Sequence, residues 1–120
     1  MKRFLVGTRA SSLAAAPAIW FVHFVAVYTL GSFACPAGAA LQASPFVLSV
    51  TGIALLTLIG VGVSGYAATA NLGKWRVSTA ATGGESAAFL ACTNVLVHVL
   101  AIVAMLWAAV PAFVLSPCPV

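Results

Sequence analysis

The chain has 120 residues, 63% of them apolar and only 5% charged, with five Lys or Arg, a single acid and a formal net charge of +4. A soluble globular domain clothes its core with about 25% charged residues, so this composition excludes one and points to a bilayer. The basic residues form no run and no stripe with interleaved aromatics, which removes a nucleic-acid binder as well.

Three apolar stretches are long enough to cross a hydrocarbon core, which takes about 20 helical residues. They cover roughly 11–33, 45–69 and 85–110. The first contains "PAIWFVHFVAVYTLGSFACP", an ordinary spanning sequence but for His23, with Trp20 three residues before it. Its basic start and "GSFAC" also resemble a lipoprotein signal ending at Cys35. Against that, the apolar run exceeds the usual signal core of about 7–15 residues, and Ser32 stands where Leu is normal. The segment "CPAGAALQASP" predicts a loop.

Ser44 followed by Pro45 predicts the start of the second helix, as an N-cap serine with a first-turn proline. Within it Gly60, Ser64 and Ala68 recur every fourth residue, the spacing that lets helix backbones approach closely in lipid. "NLGKWRVSTAATGG" predicts the second loop, with Trp75 between Lys74 and Arg76 as an interfacial anchor.

The third helix opens "TGGE", where Thr82 as N-cap and Glu85 three residues on predict a capping box, with the only carboxylate beside the positive end of the helix dipole. A second role for Glu85, as a proton donor at the cytoplasmic mouth, stays open. Ala87, Ala91, Ala101 and Ala108 give this helix small positions for packing, and Cys92 is most simply a small core residue.

All five basic residues precede the first span or lie between the second and third. The positive-inside bias therefore predicts a single all-α, three-helix membrane bundle with a cytoplasmic N-terminus and an external C-terminus.

His98, in the third span, is the other histidine. His23 lies roughly 21 Å from Arg9, and His98 roughly 20 Å from Glu85, by helical rise, which predicts one shared level near the midplane. Ionisable residues at that depth face partners or function rather than lipid, and Asn94 lies one turn before His98 on the same face. Tyr28, Thr51 and Tyr66 are possible additions to this polar seam. Three uses compete: an interhelical hydrogen bond from His23 to His98 or Asn94; axial ligation of a b-type haem by His23 and His98, within a dimer or larger host; and a proton relay or quinone-head contact.

Cys35 and Cys118 both fall on the predicted outer side, each beside proline. In an oxidising compartment they would form a disulfide, with a copper-holding thiol pair or two free thiols as alternatives. No CxxC, zinc spacing, GxSxG, HExxH, phosphate-binding glycine loop or carboxylate pair occurs, and one acid cannot supply both acid and base. A non-enzyme is expected.

Trp20, His23, Tyr28 and Cys35 form a W-x-x-H pattern followed by Cys. This first span resembles the opening helix of small three-helix bacterial membrane proteins found beside haem-copper terminal oxidases and their assembly factors. The resemblance implies a non-catalytic accessory or biogenesis subunit of an aerobic respiratory oxidase in the bacterial inner membrane, with lipid and other membrane subunits, or further copies of the chain, as partners. The three-helix anchors of succinate dehydrogenase and fumarate reductase look similar in size, but their arginine, serine and histidine signature is absent here. The rival expectation is a bis-histidine haem electron-transfer protein or a haem or quinone anchor.

Overall fold

The computed structural model describes residues 2–81, 84–115 and 118, with side chains from residue 12 onward. The described residues form α1 (Lys2–Leu41), α2 (Pro45–Ala80) and α3 (Glu85–Val114), with no strand among them. Each helix contains a stretch long and apolar enough to cross a membrane. They pack up-down-up into a rod 62 Å long, with α2 most extensively against α3.

The helices outrun the predicted spans. α1 continues through Pro36 and Gly38 to Leu41, so "CPAGAAL" is helix rather than loop. A proline within a long helix forfeits one backbone hydrogen bond, and the alanines and leucine that follow are good helix formers. The turn that remains is short. Gln42 has φ 51°, and the Ala43 N–H donates to Gly38 O at 3.0 Å, the left-handed closure with a six-to-one bond that ends many helices.

α2 begins as predicted, with Ser44 at the N-cap and Pro45 in the first turn, but the serine side chain makes no capping bond. Only the Ser44 carbonyl is used, accepting from Leu48 N at 3.0 Å. At its other end α2 runs on to Ala80, so Lys74, Trp75 and Arg76 sit on helix instead of in a loop. Lys and Arg favour helix and Gly73 is the single weak point. Thr79 Oγ1 returns its hydrogen bond to the carbonyls of Trp75 and Arg76 at 3.1 and 2.9 Å.

The expected capping box lies partly outside the described residues. The N-cap of α3 is Gly84, which puts Glu85 at the first helical position rather than the third, and Thr82 lies outside the described residues. From the first position Glu85 still lies by the positive end of the helix dipole, but it is too early to reach back to an N-cap amide.

One inward stripe per helix builds the core. On α2 it runs Ser49, Ile53, Thr57, Gly60, Ser64, Ala68 and Asn71; on α3 it runs Ala91, Asn94, His98, Ala101, Met105 and Ala109. The small residues Gly60, Ser64 and Ala68 thus serve packing within one chain. A Cβ on Gly60 would come 2.7 Å from Met105 Sδ and 3.6 Å from His23 Cδ2, so this glycine lets two side chains meet α2 closely. Large apolar side chains such as Phe21, Leu58, Ile59, Tyr66 and Trp107 point outward.

Candidate functional site

Polar groups in a dry bundle must find partners inside it, and here they lie along the axis. His23 (5% exposed), Thr57, Ser64, Asn94 and His98 (1% exposed) are all buried. Both histidines therefore face inward, but they do not meet as equals in depth.

The register of α1 against α3 is fixed by one side-chain bond, and a disulfide ties α1 to the tail beyond α3. Asn94 Nδ2 donates to Ser12 Oγ at 2.7 Å across a separation of 82 residues. Cys35 and Cys118, 83 residues apart, are disulfide-bonded with Cα atoms 5.7 Å apart. By this offset His23 lies level with Met105, and His98 lies level with Ala16. The histidines are thus separated along the axis by about two helical turns, roughly 10 Å. Gly60 supports the assignment independently, since Met105 and His23 converge on it.

Each ring has its own partner. His23 Nε2 lies 3.0 Å from Thr57 Oγ1. The Thr57 hydroxyl donates to Ile53 O at 2.7 Å, so it can only accept from the ring, and His23 carries its hydrogen on Nε2. His98 Nδ1 lies 2.8 Å from the Asn94 carbonyl, which only accepts, so His98 carries its hydrogen on Nδ1. His23 Nδ1, His98 Nε2, Asn94 Oδ1 and Ser64 Oγ are buried without a hydrogen-bond partner.

The expected His23–His98 and His23–Asn94 bonds are accordingly replaced by His23–Thr57 and Asn94–Ser12. Nor does the pair fit a haem within one chain. Axial imidazoles bind one iron from opposite sides at a shared level, whereas these rings are two turns apart, and Ala16, Ala101 and Met105 pack together in the same part of the core. Trp20 packs against that apolar cluster and stacks on Phe24, with ring centroids 5.7 Å apart. Tyr28, Thr51 and Tyr66 face outward and take no part in the seam.

The Cys35–Cys118 pairing is present, which sets aside two free thiols. Cys92 is free and half-buried. Among the described residues no group of three His, Cys, Asp or Glu side chains is placed to hold a metal.

Two cavities adjoin the seam. At the end carrying Lys74, a polar vestibule of about 320 Å³ is lined by Ser12, Asn71, Lys74, Ser78 and Asn94 together with apolar residues of α3. Between α1 and α2, an almost wholly apolar groove of about 360 Å³ has His23 among its lining residues, with Ile19, Val22 and Gly60. Sequence reasoning overlooked Ser12, Thr57 and Asn71. The available signal was spacing: Asn71, Ser64, Thr57 and Ser49 recur at seven or eight residues, which keeps them on one side of α2.

Comparison with known protein families, curated proteins and solved structures returns no match to the chain.

Proposed function

We propose that the chain is a non-catalytic, multi-pass subunit of the bacterial inner membrane, with a cytoplasmic N-terminus, serving an aerobic respiratory oxidase as an accessory or biogenesis factor. The observation that carries the membrane part is the inside-out distribution: polar side chains line the axis while Phe21, Leu58, Ile59 and Trp107 face outward. That arrangement is stable in lipid and unfavourable in water. The external placement of the C-terminus draws support from the Cys35–Cys118 bond, which belongs in an oxidising compartment. The oxidase partner rests on the W-x-x-H and Cys pattern of α1. Affinity purification of the tagged chain from membranes tests it: oxidase subunits should be retained, and deletion should lower assembled oxidase. Intact assembly with no association would reject the oxidase role and leave the membrane topology standing.

One observation favours a second use. His23 lines the apolar groove between α1 and α2, and its Nδ1 carries an unused lone pair. A lipophilic hydroxyl compound, such as a quinol, matches those two features. Quinol-analogue binding that disappears in His23→Leu would support this use; equal binding by both proteins would reject it.

A further inference from the structure

The vestibule beside Lys74 is built from all three helices, and its chemistry is uneven. At the buried end, Asn94 is 3% exposed and Asn71 is 9% exposed. Asn94 donates through Nδ2 to Ser12, while its Oδ1, also buried, has no partner. An unmatched carboxamide oxygen is an acceptor that calls for a donor. Exposed Lys74 and half-buried Ser78 complete the polar lining. Glu85, the chain's sole acid, is absent from the lining, so the cavity contains no carboxylate to satisfy the lysine.

A ligand matching this set needs an anionic group for Lys74 and Ser78 and a hydroxyl that donates to Asn94 Oδ1. The volume of about 320 Å³ lies at the lower end for small-molecule sites, about 300–1,000 Å³. Basic pockets between helices at a membrane surface hold phosphate headgroups by this logic.

We propose that this vestibule binds a phosphate ester bearing a free hydroxyl, with Lys74 and Ser78 holding the phosphate and Asn94 Oδ1 accepting from the hydroxyl. Glycerol phosphate has this chemistry both as a free metabolite and as the headgroup of phosphatidylglycerol.

The test uses the full chain with its disulfide intact. In detergent, sn-glycerol 3-phosphate and inorganic phosphate are titrated by calorimetry. In parallel, native mass spectrometry compares retention of phosphatidylglycerol and phosphatidylcholine from mixed bilayers. Saturable binding of free glycerol 3-phosphate identifies a soluble ligand, and selective retention of phosphatidylglycerol identifies the lipid; either supports the site. Lys74→Gln, at an exposed position, should weaken the productive probe at least about tenfold, the scale of a lost charge-assisted bond. Asn94→Leu should weaken it by a similar factor while leaving the weaker inorganic phosphate binding unaltered. No saturable binding together with no lipid selectivity would overturn the proposal. So would undiminished binding by Lys74→Gln, a result that stands even where Asn94→Leu fails to fold.

Discussion

His23 and His98 sit in one bundle yet are wired oppositely. Ile53 O and Asn94 O can each only accept a hydrogen. The first, through Thr57, assigns the His23 hydrogen to Nε2; the second assigns the His98 hydrogen to Nδ1. Nitrogen-15 spectra of the labelled imidazoles, recorded in their neutral form, should therefore show two different tautomers, and a shared tautomer would contradict the assigned partners. Thr57→Val removes the acceptor of His23 while preserving shape, and should cost about 0.6–1.7 kcal/mol, the range for hydrogen bonds between membrane helices. Thr57→Ser retains the hydroxyl and should cost less, with both variants compared by unfolding in mixed detergent micelles. That the two histidines would turn inward was legible from their cost in lipid. Their partners were not, because Thr57 and Ser12 are common in apolar helices and nothing in their identity distinguishes a residue facing a neighbour from one bonding its own backbone.

At the level of elements, the α1–α2 turn holds two residues under opposite constraints. Gln42 adopts φ 51°, a left-handed conformation that carries a steric penalty for a residue with a Cβ. Gln42→Gly should therefore stabilise the bundle by about 0.5–1 kcal/mol. Gly38 is different, since a Cβ there would lie 2.7 Å from the Pro45 ring and 3.0 Å from the Ala43 carbonyl. Neither group is free to swing away, so Gly38→Ala should destabilise by about 1–3 kcal/mol, as overpacking does. Thermal unfolding in detergent should move the two variants to opposite sides of the wild type. The number of helices and the start of α2 were legible from apolar length and the Ser44–Pro45 pair. The other ends were misread because proline, glycine and charge mark loops only on average. Pro36 breaks one bond in a helix whose other bonds persist, and Lys74 and Arg76 suit a helix that extends beyond its apolar stretch.

Over the whole molecule, the relation between the two histidines depends on how α1 lies against α3. Counting rise from Arg9 and from Glu85 assumes that both helices enter at the same level, and that assumption placed the histidines together. The observed register instead pairs Ser12 with Asn94, and brings His23 and Met105 together at Gly60. Such long-range pairings are set by side-chain fit between helices, for which apolar patterning provides no ruler. Paired cysteines in a Cys92→Ser background test the register directly. Ser12→Cys with Asn94→Cys should cross-link more readily on mild oxidation than the histidine pair, because those positions lie level across the two helices. His23→Cys with His98→Cys should stay reduced, since about 10 Å of axial offset exceeds the Cα separation of about 4.4–6.8 Å that a disulfide tolerates. Efficient intramolecular bonding of the second pair, with the native Cys35–Cys118 bond intact, would mean that α1 lies two turns away from its assigned position. It would restore a shared imidazole level and with it the geometry that a haem requires.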